Sequence, residues 1–509
     1  MNILNKIFGQ KTNSVNEKIS SPNKSFPDFE RLDDFGQIIP IFDYVFNPDD
    51  TIAQKASETI HRLFTQVTVS KNKELYETFR YLRIDIADIN KFDRFPKEIK
   101  ISLLCIASLN GNGYSREKAL DKLIGINEKG IFPFVLFRLA DWVGPIREKA
   151  ESIVEEYLSE DNALFFIQNH KLINWLLKVY RKDLSGLYKK IITLIINKRF
   201  GDNELKRLKE GERFFYYKSV IQSQTYDSEI IESILFDKYY LVRLLLIGHL
   251  DKIPNKKPII SKLLADKAQK IRQSAVNWIS DNDIEDFQPI LEALLYDSST
   301  SVRFESRKLL SRLRDWNFIN LYKGKIEKEE CLVGSILGLS EVGSKEDIPI
   351  IRNFLESKIA RIKTASLIGL YNLDNNLATD ISYQIIEQNS PASTKKSAEL
   401  ILSKQGIEIS RLRKIYDLTD YSGKKVVLRL INKFGGWSAA GDYLKALTEN
   451  DDRLTQFARI LLEAWDRYTI GLGTKQTPED KDYVLTWYKN AQNMGLQVPK
   501  DILFIFGEK

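Results

Sequence analysis

Asp266-Lys267-Ala268-Gln269-Lys270-Ile271-Arg272-Gln273-Ser274-Ala275 is the stretch that decides the fold. Its pattern is acidic-x-x-x-x-(Val/Ile)-Arg-x-x-small, and the pattern returns. It reads Asp141…Ile146-Arg147…Ala150, Asp237…Val242-Arg243…Leu246 and Asp297…Val302-Arg303…Ser306. Asp266 lies 29 residues after Asp237 and 31 before Asp297, and the 96 residues from Asp141 to Asp237 span three such steps. A period of that size marks stacked supersecondary units.

Weaker copies keep the phase. They begin at Asn47, Asn110, Glu327, Ser357, Asn389 and Glu449, with Arg116, Lys363 and Lys395 among the residues at the arginine position. Around the quoted stretch the unit is legible. Pro258 suits a first helical turn, where its missing N–H costs nothing. Ile259, Ile260, Leu263 and Leu264 recur at helical spacing. Asp266-Lys267-Ala268 forms a tight turn, and Ile271, Ala275, Trp278 and Ile279 stripe a second helix that Asn282-Asp283 breaks. The next unit repeats the plan from Ile290 to Leu313, and a later one from Ile348 to Leu373. Each unit is two antiparallel helices, and neither buries its apolar face alone, so the hairpins must stack. The acid before the second helix faces free backbone N–H groups and a positive helix end. The small residues at the tenth position (Ala150, Ala275, Ser306, Ser366) let neighbouring helices approach.

These units resemble HEAT repeats of the armadillo-like class, whose pattern is an apolar first helix, a turn with Asp, and Val-Arg-x-x-Ala opening the second helix. The match is specific at 141–150 and across 237–306, fair at 327–400 and faint elsewhere. The resemblance implies an all-α, right-handed α-solenoid with an extended binding surface. It also implies that Asp141, Arg147, Asp237, Arg243, Asp266, Arg272, Asp297 and Arg303 form a structural ladder inside the stack, with each arginine reaching an acid of an adjacent repeat.

The chain has 509 residues, 43% of them apolar and 28% charged, as suits a folded protein. Glycine (25) and proline (14) are sparse, which favours helix over long loops. The abundance of Lys, Ile and Asn points to an AT-rich bacterial genome. No apolar run reaches the ~18 residues that span a bilayer. The head, Met1 to Gly9, lacks a sustained apolar stretch and a small-residue cleavage site, so no secretory signal is expected. Cys105 and Cys331 fall in repeats expected to be apart in space, which fits a reduced, cytoplasmic protein without a disulfide framework. They and His61, His170 and His249 make no metal-ligand spacing, and no metal or cofactor is expected.

The expected organisation is a flexible tail at 1–27 and HEAT-like repeats at 28–150. Degenerate helical repeats with a basic segment follow at 151–230, then further repeats at 231–470. A terminal capping helix and tail take up 471–509, where Gly471 to Thr474 reads as a linker, Thr477 as a helix cap and Pro478 as the first helical residue.

Charge is concentrated. From Lys178 to Lys218 there are twelve Lys/Arg against five Asp/Glu, an excess equal to the +7 of the whole chain. Lys182, Lys189, Lys190, Lys198, Arg199, Lys206 and Arg207 are the candidate contacts, with Trp175, Tyr180, Tyr188, Phe200 and Phe214 to Tyr217 beside them. Cations neutralise phosphates and aromatics stack on bases, so a nucleic acid or an acidic protein suits this segment. The alternative is a solvated helix face over an aromatic core. Trp142 and Trp278 read as core packing. No Gly-rich phosphate loop, His-Glu-x-x-His or nucleophile elbow occurs, and no catalytic residue is assigned. Three functions compete: a non-enzymatic scaffold for a protein partner, a nucleic-acid-binding protein in the architectural manner of HEAT-like alkylpurine DNA glycosylases, and an enzyme like the HEAT-like bilin lyases, which no residue here specifically supports. The scaffold is the expected function.

Overall fold

In the computed structural model the described residues are 27–66, 72–126, 128–279, 283–388, 390–469, 476–499 and 501–506. The tail up to residue 26, Asn282, Asn389 and the Gly471–Thr474 linker lie outside them. The chain divides into two compact units, Met1–Leu246 and Ile247–Lys509, so the boundary falls inside the segment 231–470. Each unit is an all-α stack of antiparallel helical hairpins, the solenoid architecture that the repeat requires, and the described residues contain no strand.

In the second unit the quoted hairpin is Lys257–Leu264 followed by Gln269–Trp278, with Pro258 in the first turn. Ile259, Ile260, Leu263 and Leu264 are buried, as are Ile271, Ala275 and Val276 on the helix packed against them. Each such side chain contributes on the order of 2 kcal/mol when fully buried. The next hairpins pair Ile284–Leu294 with Thr300–Leu310, Phe318–Glu327 with Leu332–Val342, and Asn375–Glu387 with Ala392–Gln405. Successive second helices lie side by side, as Leu332–Val342, Ala360–Leu373 and Ala392–Gln405 do. The small residues of the signature sit at those contacts: Ala275, Ser306 and Ser366 have no exposed surface. At the end, Thr477 caps the helix Pro478–Asn493 with Pro478 at its start. That helix packs on Ala439–Leu447 through Val484 and Tyr488, and the Tyr483 hydroxyl donates to Asp442 at 2.8 Å.

The first unit follows the same plan with shorter elements. Lys97–Ala107 pairs with Gly113–Leu123 and Phe132–Arg138 with Gly144–Glu156, and the second helices of these two hairpins lie together. The segment without the signature is helical too. Ser185–Asn197 packs on Glu210–Ser223, with the short helix Asp202–Arg207 between them.

Candidate interaction surface

The acid of each signature closes a turn. Asp141, Asp237, Asp266 and Asp297 each accept the backbone N–H two residues on, at 2.7–3.0 Å. These acids precede the helix cap rather than occupy it: the caps before Gly144, Gln269 and Thr300 are Val143, Ala268 and Ser299. The arginine six residues on donates back to the acid's own carbonyl, as Arg147, Arg243 and Arg272 do at 2.6–2.7 Å and Arg303 does to Asp297. In Arg272 and Arg303 the other nitrogens reach the next repeat. Arg272 binds Asp297 through Nε and Nη2 at 2.6 and 2.7 Å. The fork matches a carboxylate in two bonds, which makes each rung directional as well as charged.

Three departures from the expected ladder have local causes. Arg147 binds its own turn and meets no carboxylate among the described residues, because the following repeat has no acid in register. Arg303 pairs with Glu341, and not with Glu327, which is the last residue of the helix Phe318–Glu327 rather than part of the turn after it. Arg116 and Arg213, outside the expected ladder, are rungs as well. Arg116 binds Asp141 at 2.9 and 3.0 Å, and Arg213 binds Asp237 at 2.7 and 3.2 Å. The spacing could have found them: both stand 24 or 25 residues before the acid, as Arg272 does. Lys395 keeps the same spacing to Asp420, at 2.6 Å, with its own side chain buried. The Arg116–Asp141 pair has 1% and 2% of its side chains exposed, and Arg138 joins it at 3.0 Å. Burial pulls the Arg138 guanidinium down to about 10 even with Asp141 beside it.

The seven basic candidates do not form one cluster. Lys182 pairs with Glu151, and Lys190 lies 3.8 Å from Glu155, so both lean back on the helix Gly144–Glu156. Arg199 meets Asp227 at 3.2 Å. Lys189, Lys206 and Arg207 are exposed and Lys198 is half-buried. The aromatics beside them are mostly interior: Phe200, Phe215, Tyr216 and Tyr217 are buried, while Tyr180 is 85% exposed.

What the segment does form is one wall of a cleft. Leu205, Lys206, Arg213 and Tyr217 face Glu229, Glu232, Ser233 and Phe236 across a space of about 550 Å³. A further 240 Å³, bordered by Arg199, Phe200 and Asp227, adjoins it through shared residues. The helix Ser228–Leu235 that makes the far wall buries only Ile234 fully, and Phe236 at its end is exposed. The hydrogen bond to Asp237 draws the Arg213 guanidinium's pKa above its usual value, so a fixed positive charge sits on the floor. A second pocket of about 370 Å³ holds the His61 ring, bonded to the Ser102 hydroxyl at 2.8 Å, beside the buried Cys105. Burial pushes the Cys105 thiol well above its ordinary range, which keeps it protonated and unreactive.

Among the described residues no group of His, Cys, Asp and Glu could hold a metal ion, and no helix is long and apolar enough to cross a membrane. No protein-family model and no curated protein matches the chain. Among solved structures it is similar to Kap121p, at 11% identity over 90% of this chain and 62% of that one, with a TM-score of 0.31. It is similar to importin beta at 11% identity over 90% of this chain and 72% of that one, with a TM-score of 0.32. This chain therefore spans less than two thirds of Kap121p, and likenesses at these scores bear on no partner or activity.

Proposed function

We propose that the chain is a non-enzymatic scaffold that binds a protein partner, with the cleft between Asp202–Arg207 and Ser228–Leu235 as the contact surface. The observation that carries this reading is the mixed lining of that cleft. Lys206 and Lys238 line it together with Glu229 and Glu232, with the exposed Phe236 among them. A polypeptide carries both signs of charge and apolar side chains, and an exposed aromatic is the usual anchor of such contacts. A polyanion in the same place would meet two carboxylates. The bases of a nucleic acid would find Phe215, Tyr216 and Tyr217 packed into the interior. A nucleic acid on the 178–218 segment is the second reading, resting on the exposed Lys189, Lys206 and Arg207.

The test is affinity capture from the native host with the wild type and with Phe236→Ala/Lys238→Glu. The scaffold reading expects a recurrent protein that the double variant loses. Identical capture by both proteins would end the assignment to this cleft. Duplex binding at low salt that Lys189→Glu/Arg207→Glu abolishes would favour the second reading.

A further inference from the structure

The edge of the first unit where hairpin turns precede the second helices carries a row of exposed aromatics. Tyr81 is 75% exposed, Tyr114 71%, Trp142 71% and Tyr180 85%. Tyr81, Trp142 and Tyr180 lie in turns and Tyr114 in the first turn of the helix Gly113–Leu123, and these segments are bonded side by side. The Gly111 N–H donates to the Arg80 carbonyl at 2.8 Å, and a Cβ on Gly111 would lie 2.6 Å from that oxygen. A Cβ on Gly113 would lie 3.7 Å from the Val143 side chain, and Arg116 ties the Asn110 turn to Asp141. Arg181 then donates to the Ala140 carbonyl at 3.1 Å. The helix pairs behind these turns pack about 8–10 Å apart, so the row presents roughly one aromatic at each such step.

Large aromatics are usually buried for the area they remove from water, and four in a row left outside form an unpartnered surface. The repeat itself does not impose it. The position that Trp142 takes after Asp141 is held by Lys238 after Asp237, by Lys267 after Asp266 and by Ser298 after Asp297. Cations accompany the row. The Arg181 guanidinium lies 5.1 Å from the Tyr180 ring centre and that of Arg80 lies 5.0 Å from Tyr81. Arg83, Lys178 and Arg181 are exposed and have no carboxylate partner among the described residues. Nearby carboxylates are engaged, Glu77 by Arg80 and Asp183 by the Ser185 N–H.

We propose that this edge binds single-stranded nucleic acid, with bases stacked on Tyr81, Tyr114, Trp142 and Tyr180, one per repeat, and phosphates met by Arg83, Lys178 and Arg181. Charge complementarity selects the occupant: cations without a carboxylate partner, beside the exposed Tyr81 and Tyr180 rings, match a polyanion with exposed bases. One base per helical repeat is an attested geometry for single strands. The proposal is independent of the cleft, whose residues it does not use.

The experiment is fluorescence titration of the full chain with labelled oligo(dT) and oligo(rU) over a salt series, beside a proline-rich peptide and a duplex. Binding of the single strands is expected, weakening as salt rises. Each of Tyr114→Ala, Trp142→Ala and Tyr180→Ala is expected to weaken it about tenfold, within the range known for loss of one stacked base. Arg181→Ala is expected to flatten the salt dependence, and Lys267→Glu/Lys358→Glu, at exposed positions of the second unit, to leave binding intact. No binding at low salt would overturn the proposal. So would equal binding by the triple alanine variant, or a preference for the peptide or the duplex. These aromatics are exposed, so their loss leaves the fold in place, as circular dichroism would verify.

Discussion

Arg116 holds two turns at once. Its guanidinium donates to the carbonyls of Asn110 and Gly111 at 2.9 Å and to both oxygens of Asp141. Breaking a buried pair by removing one partner strands the other charge, at a cost of roughly 3–5 kcal/mol. Arg116→Met is therefore expected to destabilise the first unit by about 3 kcal/mol, Arg138 remaining to hold Asp141. Arg213→Met, at a pair with 13% and 6% of its side chains exposed, is expected to cost less. Urea unfolding of the two variants checks the order. Cysteine chemistry gives a second test at this scale. Cys105 is buried with its thiol held protonated, and Cys331 is exposed. One thiol is expected to react with Ellman's reagent in the native protein and two in denaturant. Two reacting at native rates would contradict the burial of Cys105.

Helices approach closely where the side chains are absent. On Leu332–Val342, a Cβ at Gly334 would fall 1.9 Å from the Tyr296 carbonyl oxygen, and one at Gly338 would fall 2.3 Å from the Tyr322 ring. Backbone and a buried ring yield little. Overpacking of this kind costs about 1–3 kcal/mol. Gly334→Ala is expected to lower the melting temperature, against any gain in helix propensity from alanine. Gly324→Ala, on the preceding helix Phe318–Glu327 with nothing near its Cβ, is the control and is expected to be neutral or stabilising. A melting temperature unchanged by Gly334→Ala would mean that the two elements are not in contact in solution.

Over the whole molecule the acid limb of stability follows from the carboxylates that bind cations. Asp347 is buried, which pushes its pKa up, but Lys323 and the Ser344 N–H outweigh this and hold it below the ordinary 3.8. Asp420 behaves likewise: burial raises it, and Lys395, the Gly423 N–H and Ser422 bring it below 3.8. A carboxyl with a folded pKa below its unfolded one takes up its proton first in the unfolded chain. Its stabilisation is complete above the unfolded pKa and is lost as pH falls through the folded value. Stability is expected to be flat in pH down to about 5 and to fall below about 4, the ordinary carboxylate range. Asp347→Asn is expected to make that fall shallower while lowering stability at pH 7. An acid limb identical to the wild type would show that Asp347 is not held by Lys323.

The signature and its spacing determined by themselves the helical hairpins, the turn before each second helix and most of the arginines that lock the turns. These are short-range consequences of periodicity and of one acid accepting a nearby N–H, so a single sequence carries them. The spacing of 24 or 25 residues also carried Arg116, Arg213 and Lys395, although the degenerate turns beside them hid it. Only the tertiary structure decided that Arg303 turns to Glu341, that Phe215 to Tyr217 point inward and that Trp142 points out. Those outcomes depend on what the neighbouring repeat places against each side chain. Burial is a property of the contact between repeats, and no one residue's identity contains it.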